Sequence, residues 1–248
     1  MITDPWFYAA AVPAVLLTGV SKSGFGGAVG GLAVPLMALA IDARLAAAIM
    51  LPILVAMDIL GLVVFRGNFD RANLRLMVPG ALLGIALGTL TFGIVDARWI
   101  RLLIGAESIL FALDRLRRAE VGPAAQRSAR RAWLWSTVSG FTSFISHAGG
   151  PPAMQYLLPQ RLDHKLLVGT TVIYFSIVNF VKLGPYLWLG LIDTTQLATT
   201  AALLPLVPLG YGLGLKLLHA LDANRFNRTL AWLLLATGAK LAWDAVRG

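Results

Sequence analysis

Apolar residues along this chain fall into long blocks that are separated by short stretches of charged residues, glycine and proline. Several blocks approach the ~20 residues that a helix needs to cross a bilayer. The pattern predicts an all-α polytopic membrane protein. We count ten apolar segments, at 6–18, 26–41, 44–65, 74–95, 98–114, 132–146, 149–160, 166–189, 196–216 and 227–246.

The composition supports this class. Of the 248 residues, 58% are hydrophobic and 13% are charged, and the mean hydropathy is +0.75, whereas a soluble domain carries about 25% charged residues. The chain contains no cysteine, which excludes disulfides, thiolate catalysis and cysteine-ligated metals. The N-terminus lacks the basic region of a cleavable signal peptide, so we expect the first segment to be retained.

The basic residues predict an orientation. Residues 115–131 ("RLRRAEVGPAAQRSARR") carry six arginines and form a linker between an N-terminal repeat, 1–114, and a C-terminal repeat, 132–248. With this linker in the cytoplasm, that side holds 14 of the 21 Lys and Arg residues and the opposite side holds 5. The positive-inside rule therefore predicts a plasma or inner membrane protein with both termini outside. Topology explains the net charge of +9 better than a nucleic-acid partner does.

The two halves resemble each other. "PGALLGIALG" (79–88) matches "PLVPLGYGLG" (205–214), and "DRANL" (70–74) matches "DTTQL" (193–197). Because each half has five segments, an odd number, the second copy must enter the membrane in the opposite orientation, as in many transporters. Within the first copy, glycines at 80, 84 and 88 share one face and predict close packing against the helix that contains Gly210 and Gly214.

In each half the first two segments are short, which predicts re-entrant or broken helical hairpins with tips at 19–27 and 140–152. Non-helical backbone within a membrane is tolerated where it is buried in protein or lines a cavity. The tip "SHAGGPP" (146–152) places two glycines before a proline-initiated helix. Since helix N-termini attract anions, two converging tips predict a midplane anion site.

The tips carry hydroxyl and basic side chains and no carboxylate. The predicted substrate-binding residues are Ser21, Lys22, Ser23, Gly26, Gly27, Thr142, Ser143, Ser146, His147, Gly149 and Gly150. In the structural alternative, the hydroxyls bond to carbonyls of their own helices and Lys22 snorkels to an interface. Three further ionisable residues lie inside segments and are candidates for coupling, gating or structural roles: Asp58, Glu107 and Lys182.

Two stretches carry a resemblance to a known family: "GVSKSGFGGAVGGLAVPLM" near the start and "GFTSFISHAGGPPAMQYLLPQRL" after the linker. Over nearly its whole length the sequence resembles the TauE/SafE, or sulfite exporter, permeases. The resemblance implies export of a small anion such as sulfite, sulfoacetate or a related sulfonate or carboxylate, without a cofactor.

Two other functions remain open. An anion channel would use the same kind of polar constriction as a carrier. An intramembrane enzyme is disfavoured because the tips lack an acid, and a metal site because His147, His164 and His219 have no ligand spacing. We therefore expect a transporter, not an enzyme, with the lipid bilayer and a small anion as partners. The sequence permits a homodimer without specifying one.

Overall fold

The protein is described by a computed structural model, which covers residues 1–25, 30–117, 124–217 and 223–247. It is 84% helical, and the described residues contain no strand. The first half contains α1 (Pro5–Phe25), α2 (Ala33–Met37) after a 3₁₀ turn (Gly30–Leu32), α3 (Ala43–Val64), α4 (Arg71–Ile94) and α5 (Ala97–Arg117). The second half contains α6 (Ala129–Ser146), α7 (Gly150–Leu157) with a 3₁₀ turn (Leu158–Gln160), α8 (His164–Trp188), α9 (Thr194–Leu203), α10 (Leu206–Leu217) and α11 (Ala223–Arg247).

Aspartates begin the central helices of both halves. The Asp42 carboxylate accepts the Arg44 N–H at the start of α3, and Asp163 accepts the Lys165 N–H at the start of α8. Asp70 and Asp193, the aspartates of the two matching sequence stretches, cap α4 and α9 in the same way. Each such cap stabilises its helix by about 1 kcal/mol. The acidic residues between apolar segments therefore have a local structural role.

Length and composition identify α3, α4 and α8 as helices able to span a membrane. The pair α9 and α10 forms a fourth candidate, bent by 42° at its break. These spans are those of a multi-pass all-α membrane protein. The predicted single segment 196–216 is thus two helices, divided at residues 204–205.

Corresponding helices of the two halves make corresponding packing contacts. Helix α4 packs on α6 and its counterpart α10 packs on α1, while α3 packs on α8 and α5 on α11. The last two pairs join counterpart helices, and both pairs run antiparallel. In α3 and α8, Phe65 packs near Val168, while the earlier residue Asp58 bonds to the later residue Asn179. In α5 and α11, Arg98 bonds to the Ala245 carbonyl, while the later residue Gly105 lies near the earlier residue Gly238. This packing supports the predicted inverted repeat, while the orientation of the halves in the membrane stays a prediction.

The glycine faces contact different partners from those predicted. Added Cβ atoms at Gly84 and Gly88 would meet backbone or side-chain atoms of Gly140 and Phe144 on α6. Gly210 instead approaches Gly19 of α1, with its ideal Cβ 3.5 Å from the Gly19 Cα. The predicted contact between the two glycine-rich helices is wrong. Each helix packs closely against the first helix of the other half.

The first segment is longer than predicted. The sequence placed its end at residue 18, but α1 continues through "GVSKSGF" to Phe25. Glycine is a poor helix former in isolation, yet here its small size lets α1 approach α10. Residues 19–25 of the predicted tip are therefore helical, and residues 26–29, including Gly26 and Gly27, lie outside the described part of the chain.

The second hairpin enters and leaves on one side. The Ala125 N–H, before α6, donates to the Pro159 carbonyl, after α7, at 2.7 Å. Tyr156 at the end of α7 donates to Asn73 near the start of α4 at 2.8 Å, whereas the far end of α6 lies beside Gly88. Helix α6 therefore runs along α4, and α7 brings the chain back to the end of α4 at which α6 began, as in a re-entrant hairpin. Of the predicted tip 140–152, only residues 147–149 are non-helical.

Candidate functional site

The turn between α6 and α7 is built around His147. His147 has a φ of 56°, the left-handed region that usually favours glycine. Two hydroxyls fix this turn: Ser139 donates to the Gly149 carbonyl at 2.7 Å, and Thr142 donates to the Ala148 carbonyl at 3.1 Å. Side chains from the last two turns of α6 therefore hold the tip in one conformation.

The glycines after this turn serve close packing. Gly149 has an ordinary helical φ of −71°, and a Cβ there would lie 2.8 Å from the Ser143 Cβ. The next two helical residues after Gly150 are prolines, which have no N–H. Of the first residues at this helix start, Gly149 and Gly150 are therefore the ones that can offer backbone donors, and they are the two glycines named from the sequence.

Lys22 of the first hairpin forms a buried ion pair with Asp58 of α3. Lys22 Nζ lies 2.5 Å from Asp58 Oδ1, and the two side chains are 8% and 0% exposed. The second Asp58 oxygen accepts the Asn179 amide of α8 at 2.6 Å. Lys22 therefore does not snorkel to an interface. It is joined through α3 to the opposite half of the protein.

A second buried cation lies behind the tip of the other hairpin. Lys182 Nζ is 2.8 Å from the Ser143 carbonyl, 2.9 Å from Ser143 Oγ and 2.8 Å from His147 Nδ1. His147 Nε2 lies 2.9 Å from the Ala47 carbonyl, which can only accept, so this nitrogen carries a proton. Nδ1 lies 2.8 Å from Lys182 Nζ and 3.2 Å from the Ser143 carbonyl. Both ring nitrogens are engaged, so His147 has no free N–H to offer a ligand in this arrangement.

One small cavity lies where these groups meet. Its volume is about 30 Å³, enough for one or two water molecules, since each requires at least ~10–15 Å³ of such space. Its lining comes from α1, α3, α6, α7 and α8: Thr18, Lys22, Leu54, Ser143, His147, Gly150, Phe175 and Asn179. The cavity therefore combines residues of both hairpins, and Lys22 is the charged side chain in its wall.

Other predicted residues have local partners. Ser23 donates to the Gly19 carbonyl of its own helix at 2.9 Å, as the structural alternative expected. Thr142 instead donates to the Ala148 carbonyl beyond the end of α6. Ser146 donates to Glu107 Oε2 at 2.7 Å. Ser21 Oγ and Glu107 Oε1 are buried and have no hydrogen-bond partner among the described residues. None of these residues lines the cavity.

Within the described residues, no group of three or more His, Asp or Glu side chains is placed to hold a metal ion. The polar side chains of the cavity wall are instead an ammonium, two hydroxyls, a carboxamide and an imidazole, with no carboxylate among them. Such a set favours an anion over a cation.

A model of the sulfite exporter TauE/SafE family matches residues 11–241 of the 248-residue chain. The chain belongs to this family. No curated protein and no solved structure matches it. As a TauE/SafE protein it is a membrane transporter of the class that exports sulfite-like anions.

The match includes the hairpin turn and both central helices of the TauE/SafE protein, so it covers every residue that lines the cavity. Sequence reasoning missed Asn179, Thr18, Leu54 and Phe175 as lining residues. Asn179 carries a usable signal, because it lies three residues before Lys182 and therefore on the same face of α8. Thr18 and Phe175 carry none, since such residues are ordinary in apolar helices.

Proposed function

We propose that this TauE/SafE protein is a carrier that exports a small anion, such as sulfite or an organic sulfonate or carboxylate, through a site between its two hairpins. The observation that supports this function is the shared cavity: Lys22 of the first hairpin and Ser143 and Gly150 of the second face the same space. Sites at the interface of two repeats are typical of secondary transporters.

The groups around this cavity suit an anionic headgroup. A lysine ammonium has three N–H donors, and Lys22 uses one of them on Asp58. Ser143 Oγ accepts from Lys182, and its own O–H has no acceptor among the described residues. Lys22 and Ser143 therefore supply the principal hydrogen bonds to the substrate. His147 shapes the site through its packing and its contact with Lys182.

The cavity of about 30 Å³ is too small for a multi-atom anion. Binding therefore requires the wall to move, and Lys22 leaving Asp58 or one hairpin shifting against the other would enlarge the space. A carrier alternates access by such a movement of one repeat against the other. The buried position of the lining residues favours this mechanism over an open anion channel.

We infer further that the two repeats, 1–114 and 132–248, have opposite orientations, with the linker 115–131 in the cytoplasm and both termini outside. Outward movement of an anion is then favoured by an inside-negative potential, by ~2.3 kcal/mol per charge per 100 mV. Export of this kind needs no coupling ion.

Counterflow in proteoliposomes tests the proposed function. Vesicles loaded with unlabelled sulfite should accumulate external radiolabelled sulfite faster than empty vesicles, because a carrier returns more rapidly when it is loaded. Equal uptake into loaded and empty vesicles, accompanied by sulfite current, would identify a channel instead. Vesicles containing the Gly149→Val variant provide the control, because its side chain would displace Ser143 at the tip.

A further inference from the structure

We propose that Glu107 is a proton-binding site, which holds a proton while the second hairpin is closed and releases it when that hairpin moves to admit the substrate. This inference rests on the proposed function, in which the wall of the cavity must move, and it adds the proton as a second ligand of the carrier. It depends on the contact between Glu107 of α5 and Ser146 at the end of α6.

Glu107 occupies a position where a charge would be costly. It lies at the middle of α5, so about 15 Å of helix separates it from either end. Its Oε1 atom is buried and has no hydrogen-bond partner among the described residues, and these residues contain no cation that forms an ion pair with it. A buried charge is unfavourable unless it is paired. A neutral, protonated acid is therefore favoured in the closed conformation.

The Ser146 hydroxyl has one hydrogen and two neighbouring acceptors. Its Oγ lies 2.7 Å from Glu107 Oε2 and 3.0 Å from the Thr142 carbonyl, one turn back in α6. With an ionised Glu107, the single hydrogen can fill only one of these contacts. With a protonated Glu107, the acid donates to Ser146 Oγ and the serine donates to Thr142, so both contacts are filled.

Ser146 connects this proton to the moving part of the site. It is the last residue of α6, directly before the turn that leads to Gly150 in the cavity wall. A shift of the second hairpin that enlarges the cavity would separate Ser146 from Glu107. The acid then loses its partner, and water that enters the opened space hydrates the carboxylate and takes up the proton. Acid therefore stabilises the closed conformation, and a rise in pH favours opening.

The other charged groups around α5 have different partners. His147 follows Ser146, but its ring contacts the Ala47 carbonyl and Lys182. On α5 itself the nearest charged residues, Arg101 and Asp114, are about two turns away in either direction. Helix α2 has no titratable residue. The titratable side chains described on the remaining helices packed against α5 are Arg44 and Asp58 on α3, Arg130 and Arg131 at the start of α6, and Arg228, Lys240, Asp244 and Arg247 on α11.

None of these groups forms an ion pair or a hydrogen bond with Glu107. Asp58 pairs with Lys22, and Lys240 pairs with Asp244. Arg44 donates to the Val95 carbonyl, and the Arg247 guanidinium lies over the Trp243 ring. The proton on Glu107 is therefore controlled by burial and by Ser146.

Opening can be measured without a substrate through the accessibility of Thr18. This residue lines the cavity, is 3% exposed and bonds within its own helix. Because the chain has no cysteine, Thr18→Cys should react with a water-soluble methanethiosulfonate reagent only when the site opens. The labelling rate of the purified full-length protein in detergent is compared across pH between native Glu107 and Glu107→Gln, whose amide can donate to Ser146 but cannot release a proton. The ratio of the native rate to the variant rate should rise with pH, by up to about tenfold per pH unit, the limit for one proton.

The ratio cancels the titration of the introduced thiol, because both proteins carry the Thr18→Cys change. Asp193→Asn is the matched control, since it converts an exposed carboxylate to its amide at the start of α9, where asparagine is an equally good cap. The ratio of the native rate to the Asp193→Asn rate should not vary with pH. A ratio for Glu107→Gln that does not vary with pH, or that Asp193→Asn reproduces, would overturn the inference.

Infrared spectroscopy tests the bound proton directly. The carbonyl band of a protonated carboxylic acid should be present in the wild type at neutral pH and weaker in Glu107→Gln; a band that is absent from the wild type, or unchanged in the variant, would also overturn the inference. Sulfite counterflow separates this inference from the proposed function. A wild type that shows the expected labelling and infrared changes but no counterflow would overturn the proposed function and support the proton site.

Discussion

The buried ion pair between Lys22 and Asp58 predicts that a second substitution can restore the stability of a Lys22 variant without restoring its transport. Lys22→Met removes the ammonium and keeps a side chain of similar length. Asp58, which is fully buried, then loses its only ion-pair partner among the described residues. The double variant Lys22→Met/Asp58→Asn removes both charges, and the new amide can still contact Asn179.

The magnitude follows from burial. Removing one partner of a buried ion pair costs about 3–5 kcal/mol, because the remaining charge is uncompensated, whereas replacing both partners is often close to neutral. We therefore expect Lys22→Met to lower the free energy of unfolding by about 3 kcal/mol or more, and the double variant to recover most of that loss. Neither variant should transport, because both lack the ammonium in the cavity wall.

A surface pair provides the control. Lys240 and Asp244 are also 2.5 Å apart, but their side chains are 60% and 35% exposed. Lys240→Met should cost about 0.3–0.5 kcal/mol, as for exposed pairs one helical turn apart. Unfolding by denaturant in detergent micelles gives the stabilities, and proteoliposome uptake gives the activity. A double variant that is no more stable than Lys22→Met would refute the coupling, and a double variant that transports would remove Lys22 from the site.

Two further predictions concern packing and orientation. Gly140→Ala would place a Cβ 2.9 Å from the Ala81 Cα on α4 and should destabilise the protein by about 1–3 kcal/mol. Gly184→Ala on α8 should be neutral or stabilising, because the added Cβ would have no atom of another described segment within 4 Å. Equal effects of the two changes would contradict the close approach of α4 and α6. Because the chain has no cysteine, Thr3→Cys and Gln126→Cys report on topology without background. An impermeant maleimide should label position 3 in intact cells and position 126 only after permeabilisation; labelling of both in intact cells would disprove a cytoplasmic linker.

The apolar blocks predicted the helix class and most helix positions because burial in lipid requires long apolar runs. The ends of helices were less predictable. The sequence "GVSKSGF" contains glycine and polar residues that normally indicate a break, yet α1 continues through it. The reason is tertiary, because Gly19 packs on Gly210 and Lys22 pairs with Asp58.

The candidate site was predicted in part. Lys22, Ser143, His147 and Gly150 were named from the tips alone, and the structure brings them to one cavity. Asp58 and Lys182 were placed only as candidates for coupling or gating, because nothing local shows that α3 and α8 contact the tips. Asp58 is 36 residues from its partner Lys22, and Lys182 is 35 residues from its partner His147. The spacing of residues within one helix cannot indicate such contacts between helices.

Because α1 packs against α10 of the other half, the order in which the helices are synthesised affects assembly. Gly19 of α1 leaves the ribosome long before Gly210, which lies in the helix against which α1 packs. Until then α1 must remain in the membrane with a glycine face open to lipid or to an insertase, while Lys22 already has Asp58 nearby in the sequence to neutralise it. The N-terminal half made alone would therefore be an incomplete assembly intermediate, and the final helices close the structure by docking onto the first.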